Sequence, residues 1–126
     1  MSEFKFGKKS IERLATCDQR LQKLCQALID KSDFDLTITC GYRGKEDQED
    51  AFAKGNSKAH YGQSKHNLIP SKAVDICPYP INWDKNDIRW HKMISSAYEI
   101  ARQQGIKIRS GKFFAFEDYP HLELMD

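Results

Sequence analysis

Three things are scarce in this sequence, and each scarcity closes off a class of protein. Among Cys17, Cys25, Cys40 and Cys77 no pair has the CxxC spacing of a structural zinc site or a redox dithiol. The four are therefore expected as free thiols, Cys25 on the apolar face of a helix and Cys40 on the inward phase of a strand, where cysteine behaves as a small hydrophobe. No stretch approaches the about 18 consecutive apolar residues of a membrane-spanning helix, and the opening MSEFKFGKK has no signal-peptide core. A chain made in the cytoplasm without membrane insertion is expected. Charge of one sign is scarce too: 20 Lys and Arg against 18 Asp and Glu leave +2. That is too little to imply nucleic acid, although a slightly basic surface favours approach to an anionic polymer.

What is present is enough for one core. The chain has 126 residues, 40% of them hydrophobic, 30% charged and 11% aromatic, a soluble globular composition with no repeats or linkers and the length of one domain. Ile11, Leu14, Leu21, Leu24, Cys25, Leu28 and Ile29 recur at helical spacing and predict one helix over 10–30, with Ser10 as N-cap. Phe34, Leu36, Ile38 and Cys40 alternate with polar residues as in a half-buried strand. Residues 46–54 read as a short helix stopped by Gly55, and 56–63 as loop. A short strand is expected over 73–77, ended by Pro78 and Pro80. Asn86 or Asp87 opens a second long helix whose shared face is Ile88, His91, Ile94, Ala97, Tyr98 and Ala101, with Gly105 as its stop. Ile106 and Ile108 suggest a strand, 111–117 a loop, and 121–124 a final strand with His121 and Glu123 on one face.

Two separated segments, 64–75 and 118–124, hold the residues with the most chemistry. His66, Asp75 and His121 fit the three-ligand count of a catalytic zinc site, whose fourth position is left to water. Such a metal lowers the pKa of water and polarises a carbonyl, which makes amide hydrolysis feasible near neutral pH. A general base is also needed: Asp118, held three residues before His121 across Pro120, is the candidate, with Glu117 as its rival. Arg43, at the end of the clearest strand, offers a fixed cation for an oxyanion or for a substrate carboxylate.

Four segments, TCGYRGKEDQ at 39–48, SKH at 64–66 running on to AVD at 73–75, PYPINW at 78–83 and DYPHLE at 118–123, resemble in order and spacing the zinc L-alanyl-D-glutamate peptidases. These are phage endolysins of the D-Ala-D-Ala carboxypeptidase-like metallopeptidase superfamily, and the resemblance spans essentially the whole chain. It implies a small α+β domain over 1–126 with an antiparallel sheet carrying the metal, packed against the two longer helices. It implies that His66, Asp75 and His121 bind Zn2+, that Asp118 is the general base and that Arg43 stabilises the transition state. Ser64 and Gln48 also fall on motif positions, as support for the site or as substrate-binding residues. The implied reaction is hydrolysis of the L-Ala-D-Glu amide in the peptidoglycan stem peptide, by a monomer that reaches the wall through a holin. The pattern departs at 110–114, SGKFF, where relatives carry a Trp-Gly-Gly-x-Trp-like stretch, and at Leu122, where Phe is commoner.

The remaining residues take plainer readings. His60 is expected to be solvated and His91 packed, Glu123 to orient a ligand, and Trp83 and Trp90 to lie in the core rather than to serve as sugar platforms. Two other functions fit the same residues: a D-Ala-D-Ala carboxypeptidase or dipeptidase, and a non-catalytic zinc-containing binding module.

Overall fold

The computed structural model describes residues 3–126. The apolar spacing read as one helix over 10–30 belongs to two, α1 (Lys8–Leu14) and α2 (Gln19–Lys31). Between them Cys17 forms a parallel bridge with Ser71, Asp18 donates its N–H to Ser71 O at 2.8 Å, and Ser71 returns one to Thr16 O at 3.0 Å. These bonds claim backbone groups that an unbroken helix would need, and Asp18 restarts the helix by accepting from Arg20 N at 2.9 Å.

Ser10 is not a cap but an internal, buried residue of α1. Its Oγ accepts the N–H of Ile38 at 3.0 Å and lies 3.1 Å from Thr37 Oγ1, while Arg13 donates to Ile38 O at 3.0 Å. The strand so addressed, β1 (Asp35–Cys40), is the edge of the sheet, and α1 satisfies backbone groups the edge would otherwise expose.

Beyond α3 (Lys45–Ala53), three more strands complete an antiparallel sheet: β2 (Ala73–Tyr79), β3 (Ile108–Ser110) and β4 (His121–Leu124), in the order β1-β2-β4-β3. This is the expected α+β class. Alternation along the strands sorts the side chains. Ile38, Val74, Ile76, Leu122 and Leu124 join Leu21, Leu24 and Leu28 of α2 and Trp90, Ile94 and Ala97 of α4 (Ile88–Gln104) in one apolar cluster. Each large aliphatic side chain fully buried there contributes roughly 1.5–3 kcal/mol. The other sheet face carries Asp75, His121 and Glu123.

Four local expectations are corrected. Cys40 does not continue the inward phase of Leu36 and Ile38, because a β-bulge between Ile38 and Cys40 brings Cys40 opposite Asp75 on the polar face. β2 runs through Pro78, which is tolerated because pairing with β4 ends near Asp75 and leaves only β1 alongside. The buried face of α4 is Trp90, Met93, Ile94, Ala97, Ile100 and Ala101, whereas Ile88 is 62% exposed. Trp90 fixes that phase: its large ring is buried and its Nε1–H donates to Asn82 O at 2.7 Å. Trp83, expected in the core, is 65% exposed and stacks on Trp90 with ring centroids 5.7 Å apart.

Candidate metal centre and active site

The pairing of β2 with β4 sets Asp75 directly opposite His121, so both side chains leave the same face of the sheet. His66 comes from elsewhere. It sits in a 3-10 turn, Lys65–Asn67, capped by Ser64, whose hydroxyl accepts from His66 N at 3.2 Å. Asn67 completes the cap, its side-chain oxygen accepting from Gly62 N at 2.9 Å and Ser64 N at 3.2 Å.

Each imidazole has one nitrogen committed to the scaffold and one facing Asp75. His66 Nδ1 lies 2.7 Å from Gly41 O, which leaves Nε2 3.0 Å from Asp75 Oδ1. His121 Nε2 lies 2.8 Å from Glu123 Oε1, which leaves Nδ1 3.5 Å from the same Oδ1 and 3.9 Å from Asp118 Oδ2. A carbonyl and a carboxylate can only accept, so each outer bond fixes an N–H on the scaffold side. In the neutral imidazoles the bare nitrogens then converge on one carboxylate oxygen, a donor set suited to a divalent cation. Donor atoms of Asp75, Asp118 and His121 lie within 4.8 Å of one another, as do those of Cys40, His66 and Asp75.

The charges follow from burial and proximity. Burial opposes the imidazolium of His66, but the Asp75 carboxylate outweighs it and holds the ring protonated, its pKa raised to about 10. Burial likewise pushes against the Asp75 anion, and His66 and His121 overcome it, so the carboxyl is held well below its ordinary range. His121 is raised for the same reason, burial being outweighed by bonds to Asp75 and Glu123. Asp118 moves the other way. Desolvation by burial and the nearby Asp75 charge raise it, against the opposing pull of His121, His66 and Arg43.

Arg43 reaches the second oxygen of Asp75, Nη2 to Oδ2 at 3.5 Å, and is held by Gln48 Oε1 at 3.2 Å from Nη1. Its own N–H donates to His66 O at 2.8 Å. Gln48 is fully buried and does not line the cavity. Its amide nitrogen donates to Ala59 O at 2.8 Å and Ser57 Oγ at 3.0 Å, and its oxygen also receives Asn67 Nδ2 at 3.2 Å. It thus ties Arg43 to the 57–59 loop.

Arg43, Ser64, His66, Asp75, Asp118 and His121 all line one cavity of about 630 Å³. Glu117, the alternative base, instead pairs with Lys85 at 3.0 Å. His60 stacks on Phe52 and meets Glu49 at 3.1 Å, and His91 Nε2 lies 2.8 Å from Lys85 O. Neither joins the cluster.

Two contributors carried no readable signal in the sequence. Gly111 accepts the N–H of Asp118 at 2.9 Å, and a Cβ there would sit 2.1 Å from Asp118 O and 2.9 Å from His121 Cβ, so only glycine permits the approach. Phe114 lies 5.2 Å from the His121 ring and walls the cavity with Phe116. The divergent SGKFF stretch therefore supplies an aromatic wall. Lys65, also on the cavity, pairs with Glu123 at 3.7 Å and donates to Leu124 O.

Similarity to known proteins gives the family. The profile of the phage L-alanyl-D-glutamate peptidase family matches residues 1–125. The L-alanyl-D-glutamate peptidase of Escherichia phage T5 is 36% identical over 113 residues, 86% of this chain and 80% of that protein. The crystal structure of the Serratia marcescens L-Ala D-Glu endopeptidase ChiX superimposes with a TM-score of 0.80, at 21% identity over 98% of this chain and 92% of that one, a likeness of fold. With a family match over nearly its whole length, the chain belongs to the phage L-alanyl-D-glutamate peptidase family and is a peptidase.

Proposed function

We propose that this peptidase is a zinc-dependent endolysin that hydrolyses the L-Ala-D-Glu amide of the peptidoglycan stem peptide. The observation that carries the reading is the single Asp75 oxygen, 3.0 Å from His66 Nε2 and 3.5 Å from His121 Nδ1, with Asp118 and Arg43 on the same cavity. A zinc ion held by His66, Asp75 and His121 supplies Lewis acidity towards the amide carbonyl and makes water more acidic.

The chain's own residues do the rest. Asp118, with one carboxylate oxygen 3.9 Å from His121 Nδ1 and its pKa raised by burial, takes a proton from the attacking water. It passes that proton to the departing D-Glu nitrogen as the C–N bond breaks. Arg43, fixed by Gln48, offers its guanidinium to the charge that develops on the carbonyl oxygen. Ser64 holds His66 in its turn, and Gln48 acts through Arg43 rather than on substrate. Glu123 orients His121.

On this reading the chain works as a monomeric catalytic domain, is made in the cytoplasm of an infected host and meets the wall after release through a holin-type pore. Digestion of purified muropeptides with and without a chelator tests it. New L-Ala carboxyl and D-Glu amino termini, identified by mass spectrometry and lost with chelator, are expected. Release of free D-Ala instead would reassign the enzyme as a carboxypeptidase.

A further inference from the structure

Beside the catalytic cavity lies a second hollow of about 440 Å³, and the two share Asn56, Phe116 and Asp118. Its wall includes the exposed indole of Trp83, backed by the buried Trp90 at an interplanar angle of 29°. The hollow is thus a flat aromatic shelf with solvent on its open face. The Trp83 Nε1–H and the Asn56 side-chain amide have no hydrogen-bond partner among the described residues. Polar groups beside an apolar wall are the usual make-up of a small-molecule site.

The charge is divided unevenly between the hollows. Of the cations on the catalytic cavity, Arg43 pairs with Asp75 at 3.5 Å and Lys65 with Glu123 at 3.7 Å, which leaves Lys58 without a carboxylate partner among the described residues; in the second hollow the one cation, Lys85, is paired with Glu117 at 3.0 Å. The stem peptide is divided in the same way. On the D-Glu side of the scissile amide it carries free carboxylates; on the other side L-Ala is joined at once to the lactyl group of an uncharged N-acetylated sugar. One residue spans about 3.5 Å, so a substrate with its L-Ala-D-Glu amide at Asp118 must lodge that sugar in a space adjoining Asp118.

Resting on the peptidase reading above, we infer that the second hollow is a subsite for the N-acetylmuramyl unit of the substrate. Trp83 stacks on the pyranose C–H face, and Asn56 and the indole N–H are placed to meet the acetamido and hydroxyl groups. The enzyme then selects stem peptides still attached to glycan over free peptide.

The test compares kcat/KM on a disaccharide-tetrapeptide and on the same peptide without sugar. Wild type is expected to favour the glycan-bearing substrate, and Trp83→Ala to reduce that ratio about tenfold, mostly through KM, with Trp83→Phe restoring much of it. An unchanged ratio in Trp83→Ala, or an equal loss on both substrates, would overturn the subsite. Binding is read separately by titrating wild type and Trp83→Ala with the peptide-free disaccharide and following indole fluorescence. Saturable quenching in wild type alone supports the subsite, and no quenching counts against it. Inactivity of wild type on both substrates would remove the peptidase reading, while the titration still decides the sugar site.

Discussion

Glu123 lies two residues from His121 on the same face of β4 and meets its Nε2 at 2.8 Å, fixing which nitrogen of the ring faces Asp75. Bonding and the charge of His121 offset the burial of Glu123, and Lys65 adds to the pull, so its carboxyl stays ionised below its ordinary range. Glu123→Ala is expected to weaken zinc affinity roughly 10–100-fold. Competition with a chromophoric chelator measures it, and an unchanged affinity would remove Glu123 from the site.

Asp118→Asn keeps the shape of the side chain and removes the base. A drop in kcat of about 10²–10⁴ is expected with zinc content and melting temperature retained. Because burial raises the Asp118 pKa from its ordinary 3.8, the wild-type acid limb should lie above that value, with activity rising as the carboxyl loses its proton. The limb should vanish from the residual activity of the variant.

Stability of the metal-free protein should fall as the solution becomes alkaline. The His66 pKa, raised from 6.5 to about 10 as Asp75 outweighs burial, gives a contribution that is complete below 6.5 and lost as pH rises through about 10. Protons and a cation compete for the same nitrogen, so the zinc-induced rise in melting temperature should be larger at pH about 9 than at pH about 6. Thermal melts with and without chelator check both slopes. A zinc shift that does not grow with pH would mean that His66 is not a ligand.

Gly111→Ala places a methyl group 2.1 Å from Asp118 O. Overpacking of this kind costs about 1–3 kcal/mol, and relief requires the 118–121 segment to move away. A lower melting temperature together with a fall in kcat is expected. Wild-type kcat in a folded variant would show that Asp118 tolerates displacement.

The elements most legible in the sequence were those whose apolar pattern is also their buried pattern. Leu21, Leu24, Cys25, Leu28 and Ile29 of α2 are all buried, and Leu36 and Ile38 face the core as their alternation predicts. The expectations that failed were decided by partners distant in sequence. Ser71 breaks the first helix at Cys17, and the bulge beside Ile38 turns Cys40 away from the core. The packing of Trp90 rotates α4 and leaves Trp83 outside. At the site, His66, Asp75, Asp118, His121 and Arg43 were each legible as chemistry and do converge. Gln48 was legible only as a motif position, for site support or substrate binding, and its bonds to Arg43 and the 57–59 loop show a buried strut instead of a residue on the cavity.

Asp75 and His121 face one another across neighbouring strands with no loop to adjust the fit. Moving β4 along β2 by one residue would keep the backbone ladder satisfiable, yet it would turn Leu122 and Leu124 towards the cavity and bury His121 and Glu123 in the apolar cluster. The site therefore has no graded failure in that direction: the short connection through Pro120 sets the phase of the last strand, and an insertion or deletion there yields a sheet on which Asp75 and His121 no longer share a face.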